Sequence, residues 1–243
     1  MQLYIMEVFR FRQFSVVHSK SSMKVGIDGV LVGAWGAVSG DMGLDIGCGC
    51  GLIALQAAQR NSHSIITAID IHGPSIEEAE ENFLSSKWKN RLKAKLSDMD
   101  SFAAETTNQN QYDFILSNPP FFNSGISNPR TAREHARHQH SLSPAKLLEA
   151  AIKLLKENGA VSFIMPAEIY PDLKSQDNLF LERLVWVADN PRKKPKRVLV
   201  QYRKGETICL PPETLYIRDV EGNYHPDYIN LTKPFYLGLI NRR

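Results

Sequence analysis

The chain has 243 residues, a formal net charge of +3 and 43% hydrophobic residues. This length and composition predict an ordinary globular fold, which we expect to form one domain. No stretch approaches the roughly 18 apolar residues of a membrane span, and the charged start does not resemble a signal peptide, so a cytosolic protein is expected. The cysteines, Cys48, Cys50 and Cys209, are odd in number and poorly spaced for a bridge, which favours reduced thiols.

Short apolar runs alternate with segments of helical periodicity through the middle of the chain. Residues 1–40 are predicted to form an N-terminal arm that ends in a short helix at "DGVLVGAWGAV". The core, residues 41–166, has predicted strands at 43–48, 65–70, 92–96, 112–117 and 160–166, and helices at 52–60, 74–88 and 143–158. Such alternation indicates an α/β fold with a parallel, doubly wound sheet, which binds its ligand beyond the carboxyl ends of the strands.

The pattern changes in residues 167–243. The runs "LERLVWVADN" and "RVLVQYRKGE" predict a C-terminal antiparallel hairpin added to the parallel sheet. Residues 190–205 carry seven Lys or Arg and no acid, and residues 129–140 carry three Arg and three His against one Glu. Local basic patches favour a polyanionic partner, although a solvated face without a partner would look the same.

Three glycines occupy the first predicted strand-to-helix turn, in "LDIGCGCGLIALQAA". Gly47, Gly49 and Gly51 allow a ligand to approach the backbone closely near a helix N-terminus. The dinucleotide fingerprint G-x-G-x-x-G is not met, because Leu52 stands where its third glycine is needed. Asp45 precedes the turn and could meet a cationic group or orient the loop. A turn that serves only helix packing is the alternative.

Two acidic residues follow the next predicted strands. Asp70 ends the second strand, about where an acid binds a ribose diol, and a carboxylate can accept both hydroxyl protons. Asp98 follows the strand at 92–96 and could accept from an adenine amino group, although Asp100 in "SDMDS" is an alternative. For Asp70 the alternative is a helix cap.

The stretch "SNPPFF", residues 117–122, ends the strand "YDFILS". Together with "LDIGCGCG" and Asp70, it resembles the S-adenosylmethionine-dependent methyltransferases that modify amino groups, in which (N/D)PP(F/Y/W) holds the target nitrogen. The segments "FRFRQFSVVHSKSSMKVGIDGVLVGAW", "RKKPKRVLVQY" and "LTKPFYL" are similar to one family, the tRNA1(Val) adenosine N6-methyltransferases, which act on the adenosine 3′ of the anticodon. Ile27 and Cys50 depart from the family, where Thr is more usual.

The resemblance implies a Rossmann-like class I methyltransferase with a mostly parallel, seven-stranded sheet, S-adenosyl-L-methionine as cofactor and tRNA as partner. Asn118 and Pro119 would each present an oxygen to the target amine, held in place because each precedes a proline. Phe121, or alternatively Phe122, would stack on the flipped base. The cofactor-binding residues implied are Lys24, Asp45, Gly47, Gly49, Gly51, Asp70, Asp98 and Asn118. The RNA-binding residues implied are Arg133, Arg137, Lys193, Lys194, Lys196 and Arg197.

Other readings remain open at this stage. The same four-residue loop serves methylation of protein glutamine, DNA adenine and rRNA bases, and a catalytically silent RNA-binding module could keep the fold. His135, His138 and His140 have a spacing that suits a metal, but no Cys or acid lies in register, so no metal is expected. Met23, Lys24, Gly26 and Asp28 could form a lid over the cofactor or simply pack the arm.

Overall fold

The computed structural model describes residues 7–120, 142–173 and 176–238. The strands are β1 Val8–Arg10, β2 Ser15–Val17, β3 Met42–Ile46, β4 Ile65–Asp70, β5 Leu92–Leu96, β6 Tyr112–Ser117, β7 Leu155–Pro166, β8 Leu179–Ala188, β9 Arg197–Lys204 and β10 Glu213–Tyr216. The α-helices are α1 Ile27–Trp35, α2 Leu52–Arg60, α3 Gly73–Leu84, α4 Met99–Ala104, α5 Pro144–Leu154 and α6 Pro226–Thr232. Short 3-10 turns lie at Thr106–Asn108 and Ala167–Asp172.

The main sheet has the order β10-β8-β9-β7-β6-β3-β4-β5, and β1 pairs with β2 in a separate hairpin. Strands β3 to β7 run parallel, while β9 is antiparallel to both β7 and β8, as the sequence predicts for the C-terminal hairpin. Within the described ranges the main sheet therefore has eight strands, not the seven expected. The eighth, β10, pairs parallel to β8. It has only four residues, too few to show an alternating pattern.

Three predicted strands and one predicted helix have the predicted bounds: β4, β5, β6 and α2. The third long helix is shorter than predicted. It begins as expected, with the Ser143 side chain accepting from the Lys146 N–H. It ends at Leu154 rather than at Gly159, and the buried Lys204 ammonium donates to the Ile152 carbonyl in its last turn. β7 begins directly at Leu155, and its pairing with β6 is irregular between Leu155 and Ala160, where Asn158 has a φ of 64°.

Helices cover the two faces of the sheet. The buried side chains of α1, α2 and α3 pack in one cluster, and those of α4 and α5 pack in another. The predicted short helix is α1, and it is held against α2 by a hydrogen bond from the Gln56 amide to the Val30 carbonyl, 3.2 Å long. The cysteines Cys48, Cys50 and Cys209 are free thiols. In the described ranges, no helix combines the length and hydropathy that crossing a bilayer requires.

The carboxyl ends of β3, β4, β6 and β7 meet at one edge of the sheet. Ser117, the last residue of β6, pairs with Phe163 of β7. At the end of β7, Pro166 pairs with Arg197, the first residue of antiparallel β9. The turn between β8 and β9 therefore lies at the same edge as the loop that follows β6. This topology brings Asn118, Pro119 and the β8–β9 turn to one side of the protein.

Candidate active site

The glycine loop (residues 47–51) joins β3 to α2 in a backbone conformation that residues with a side chain rarely adopt. Gly47, Gly49 and Gly51 have φ values of 71°, 52° and 80°, in the left-handed region that favours glycine. A Cβ atom on Gly51 would lie 2.4 Å from the Phe83 ring, whereas one on Gly49 would meet nothing within 4 Å. The loop thus packs tightly against α3 at its end and leaves its middle open to a ligand.

Asp70 at the end of β4 holds this loop. Its Oδ2 accepts from the Gly49 N–H at 2.9 Å, and its Oδ1 accepts from the His72 N–H at 2.9 Å. The Ile69 carbonyl accepts from the Gly47 N–H at 2.9 Å. A carboxylate has about four acceptor sites, so Asp70 retains capacity for a ligand hydroxyl. The structure therefore gives Asp70 a loop-ordering role that the sequence did not predict. Its ribose contact stays a prediction.

Asp45 lies beneath the loop and is 1% exposed. Its Oδ2 accepts from the Ala54 N–H in the first turn of α2 at 3.0 Å, so Asp45 bonds the helix that follows the loop. No group in the described residues bonds its buried Oδ1. Burial, with a smaller contribution from Asp70, raises the pKa of Asp45 to about 7.

Burial also raises the pKa values of the two cysteines in the loop. The pKa of the Cys48 thiol lies well above its usual range and that of Cys50 is raised to about 12, so both thiols stay protonated near neutral pH.

A cleft of about 260 Å³ opens between the glycine loop and the start of α1. Its lining includes the exposed apolar side chains of Met23 and Ile27, which are 41% and 42% exposed. The residues that line it are Met23, Lys24, Val25, Gly26, Ile27, Asp28, Gly29, Gly47, Cys48, Gly49, Cys50, Leu52, Ile53 and Asn118. The segment 23–29 therefore forms one wall of the cleft, where the sequence left a lid and simple packing of the arm as alternatives, and the glycine loop contributes to the other wall.

Asn118 follows β6 and lies on this cleft. Its amide Nδ2 is 3.9 Å from the point that a Cβ atom would occupy on Gly29, so the absence of a side chain there keeps the amide accessible. Ser117 anchors the strand end beneath it by donating to the Ile46 carbonyl at 2.8 Å. Asn118 is half-buried on the cleft, whereas Pro119 is buried and is not among the described residues that line it, so an acceptor role for the Pro119 carbonyl stays a prediction.

Two predicted residues on the cleft have partners elsewhere. Lys24 lines the cleft, but its ammonium pairs with Glu7 at 2.8 Å and donates to the His18 carbonyl at 2.8 Å. Asp28 pairs with the Nε of Arg197 at 2.9 Å. Arg197 therefore joins the β8–β9 turn to the wall of the cleft, and any contact that it makes with RNA must compete with this ion pair.

Asp98 and Asp100 have different structural roles. Asp98 caps α4, since its Oδ1 accepts from the Ser101 N–H at 2.8 Å, and that hydrogen bond lowers the pKa of its carboxyl. Asp100 pairs with Lys146 on α5 at 3.3 Å. The structure thus gives Asp98 a capping role that the sequence did not predict for it. Neither residue lines the described part of the cleft, and an adenine contact by Asp98 stays a prediction.

The basic turn (residues 189–196) presents exposed lysines at the active-site edge. Lys193 is paired with Asp189 at 2.8 Å, four residues before it. For Lys194 and Lys196, both exposed, the described part of the chain offers no carboxylate within 4 Å. These two ammonium groups are accordingly the most available of the predicted RNA contacts in the turn.

Several predicted residues lie outside the described ranges. They are Phe121, Phe122, Arg133, His135, Arg137, His138 and His140. Their predicted roles in base stacking and RNA binding stay predictions. Within the ranges that are described, no three His, Cys, Asp or Glu side chains are grouped closely enough to hold a metal ion.

Glu78 and Asn82 are two buried polar residues on α3 whose side chains contact the segments around the cleft. No motif in the sequence points to them as functional residues. Glu78 is 0% exposed and Asn82 is 3% exposed. Polar residues four apart on a helix usually indicate a solvent-facing stripe. Glu78 and Asn82 differ from such a stripe because their side chains bond the N-terminal arm and the glycine loop.

Comparison with known proteins identifies relatives over almost the whole chain. Residues 9–174 match the family described as the methyltransferase small domain. A tRNA1(Val) (adenine(37)-N6)-methyltransferase of Trichodesmium erythraeum is 40% identical over 94% of this chain and 97% of its own length. The enzyme of that name from Bacteroides fragilis is 38% identical over 94% and 97%, and that from Escherichia coli O157:H7 is 36% identical over 94% of both chains.

Solved structures share the fold at low sequence identity. A predicted O-methyltransferase from Agrobacterium tumefaciens superposes with a TM-score of 0.67 at 15% identity, covering 86% of this chain and 96% of its own. P. horikoshii TYW2, in complex with MeSAdo, gives a TM-score of 0.61 at 12% identity, covering 85% and 74%. These likenesses confirm the Rossmann-like class I architecture. With the glycine loop, the strand-end acids and the Asn-Pro-Pro segment all at one edge of that fold, and relatives near 40% identity along its length, the chain belongs to the tRNA1(Val) (adenine(37)-N6)-methyltransferase family.

Proposed function

We propose that this protein transfers a methyl group from S-adenosylmethionine to N6 of an adenosine in tRNA. The target is the adenosine 3′ of the anticodon in tRNA1(Val), and the protein acts in the cytoplasm as a single domain. Family membership over nearly the whole chain supports this activity. The observation that carries it is the position of Asn118, which lies on the same 260 Å³ cleft as the glycine loop.

The cleft fits the cofactor chemically. The open backbone at Gly49 allows close approach, and Asp70 retains acceptor sites for the two ribose hydroxyls. Met23 and Ile27 offer apolar surface beside the loop. When bound, S-adenosylmethionine supplies a methyl group on a sulfonium, a strong electrophile. We assign the cofactor to the cleft residues Lys24, Gly47 and Gly49, with Asp70 for the ribose. Asp45 is buried beneath the loop and Asp98 caps α4 outside the described lining of the cleft, and contacts of either with the cofactor stay predictions.

The protein's contribution to chemistry lies in the Asn-Pro-Pro segment. The lone pair of an exocyclic adenine amine is delocalised into the ring, so the amine is a poor nucleophile. Oxygen acceptors on the Asn118 side chain and the Pro119 carbonyl would bond its two N–H groups and draw the nitrogen towards tetrahedral geometry. Phe121 would stack on the flipped base, a contact of about 1–3 kcal/mol. Alignment and fixed acceptors then account for most of the rate, and no general base is required.

Methylation of protein glutamine is the principal rival, because the same acceptors suit a planar amide. DNA adenine and rRNA bases are rivals for the same reason. The N-terminal arm is held to the core by side chains of α3: Glu78 accepts from the Ser21 N–H, and the Asn82 amide donates to the Val17 carbonyl. The arm is thus part of the cleft rather than a separate docking module.

The direct test is the nucleoside content of tRNA. We expect the purified protein to transfer tritium from labelled S-adenosylmethionine to total tRNA, and cells lacking the gene to lose N6-methyladenosine from tRNA by mass spectrometry. An unchanged nucleoside profile, with label entering protein instead, would favour the glutamine rival. Failure to bind S-adenosylmethionine would favour a silent RNA-binding module.

The basic turn gives a second expected result. Changing both Lys194 and Lys196 to alanine should weaken tRNA binding and reduce the slope of log affinity against log salt by roughly 1.5 to 2, because two phosphate contacts are lost. The matched control is the pair Lys89 and Lys93, which are equally exposed but lie at the amino end of β5, on the opposite edge of the sheet. Filter binding across a salt series measures both slopes. Equal slopes for the wild type and the Lys194/Lys196 variant would show that these two lysines of the turn do not contact RNA phosphates.

A further inference from the structure

Glu78 and Asn82 lie one turn apart on α3, and their side chains leave the helix to bond two other segments. Both are buried, at 0% and 3% exposure. Burying a charged or amide side chain is unfavourable unless its hydrogen-bonding groups are satisfied. Here they are satisfied by the N-terminal arm and the glycine loop, which contribute the two walls of the cleft. We call Glu78 and Asn82 the α3 clamp.

Glu78 fixes the arm just before it reaches the cleft. Its Oε1 accepts from the Lys20 N–H at 2.8 Å, and its Oε2 accepts from the Ser21 N–H at 2.9 Å and from the Ser21 hydroxyl. Burial alone would raise the pKa of this carboxyl, but these hydrogen bonds outweigh burial and lower it. Glu78 is therefore ionised at neutral pH, and charge-assisted bonds hold the backbone at Ser21.

Asn82 joins the arm to the glycine loop. Its Oδ1 accepts from the Val17 N–H at 2.8 Å, and its Nδ2 donates to the Val17 carbonyl at 2.8 Å. The same Nδ2 donates its second hydrogen to the Cys50 carbonyl at 2.9 Å. One side-chain amide thus bonds both segments at once, so a shift of the arm must move the loop or break a buried bond.

The clamp is well placed to control the cleft. Only Ser22 separates the clamped Ser21 from Met23, the first residue of the cleft wall, and Cys50 itself lines the opposite side. Neither Glu78 nor Asn82 lines the cleft, so both act through other residues. We propose that Glu78 and Asn82 are positioning residues that set the affinity for S-adenosylmethionine by holding residues 23–29 against the glycine loop. This inference rests on the proposed cofactor, but not on the proposed tRNA substrate.

The test compares cofactor affinity with turnover. Asn82→Ala and Glu78→Gln should each weaken S-adenosylmethionine binding by about 10- to 100-fold. Asn82→Ala leaves the Cys50 carbonyl and the Val17 backbone without their partner. Glu78→Gln replaces one acceptor of the arm's N–H groups with a donor, so the arm is held less firmly just before it reaches the cleft. Turnover at saturating cofactor should change by less than about threefold, since the methyl-accepting side of the cleft is untouched. Glu81→Gln is the matched control, on the same helix but paired at the surface with Lys20. It should bind the cofactor as the wild type does.

Ser21→Ala is a milder change that still tests the proposal if Asn82→Ala or Glu78→Gln fails to fold. It removes only the hydroxyl bond to Glu78 and should weaken cofactor binding by about two- to fivefold. Hydrogen exchange should rise in residues 15–29 and 47–51 together and stay unchanged in α5. Cofactor affinity within twofold of wild type in folded Asn82→Ala, or exchange that rises evenly across the chain, would overturn the proposal. Loss of tRNA methylation with normal cofactor affinities would instead count against the proposed substrate.

Discussion

Replacing Asn118 with alanine is expected to lower methyl transfer to tRNA by about 100- to 1,000-fold at saturating cofactor, comparable to removing one preorganised polar group from an active site. The side chain lies on the cleft with its Nδ2 near Gly29, and alanine removes its oxygen acceptor without creating a buried cavity. Affinity for S-adenosylmethionine should change by less than about fivefold, because the glycine loop and residues 23–29 form most of the cleft. Isothermal titration calorimetry and single-turnover tritium transfer measure the two quantities separately.

Asn118→Asp is the informative partner of this variant. Aspartate keeps an oxygen acceptor at the same position, so it should retain clearly more activity than alanine. The surface variant Asn230→Ala, which removes only an exposed bond to Lys233, controls for loss of an amide in general. Wild-type turnover in Asn118→Ala would contradict the role of the Asn-Pro-Pro segment, whereas a parallel collapse of cofactor binding would make Asn118 a cofactor ligand first.

The sequence predicts the core of the fold because each core element carries its own local signal. β4, β5 and β6 are short apolar runs bounded by turn residues, and α5 begins at a recognisable Ser143 cap. Once the elements alternate, the parallel sheet follows, and with it the edge where Asp70 and Asn118 must meet. The edge of the sheet that carries the candidate site could therefore be predicted from the order of the elements, whereas the roles given to Asn118 and Pro119 came from the family resemblance and stay predictions.

What the sequence could not predict depends on contacts distant along the chain. The last turn of α5 accepts a hydrogen bond from Lys204, which reaches it from β9, 50 residues later. The α3 clamp bonds residues about 60 positions away, so Glu78 and Asn82 look like ordinary polar positions on a surface helix. The capping role of Asp98 likewise could not be separated from ligand binding by residue type, because a carboxylate serves either purpose.

Asp70→Ala is expected to weaken S-adenosylmethionine binding by about 100-fold or more. Alanine removes the acceptor of the Gly49 N–H and the His72 N–H, so the loop loses the bond that holds its open centre. It also removes the carboxylate that we assign to the ribose hydroxyls. Unpaired polar groups and a lost charged acceptor each contribute about 1–3 kcal/mol, which together correspond to this loss. Calorimetry with S-adenosylhomocysteine measures it without turnover.

A cofactor analogue separates the two roles of Asp70. The wild type should bind S-adenosylhomocysteine at least tenfold more tightly than its 2′-deoxy analogue, while Asp70→Ala should bind both nearly equally, because the partner of the missing hydroxyl is gone. The control is Asp227→Ala. Asp227 is an exposed acid on α6 that pairs with His225, and this variant should keep the full preference for S-adenosylhomocysteine. If Asp70→Ala weakened both ligands but preserved the preference, Asp70 would serve only to order the glycine loop. The ribose contact would then have to be assigned to another acceptor at the carboxyl end of the sheet.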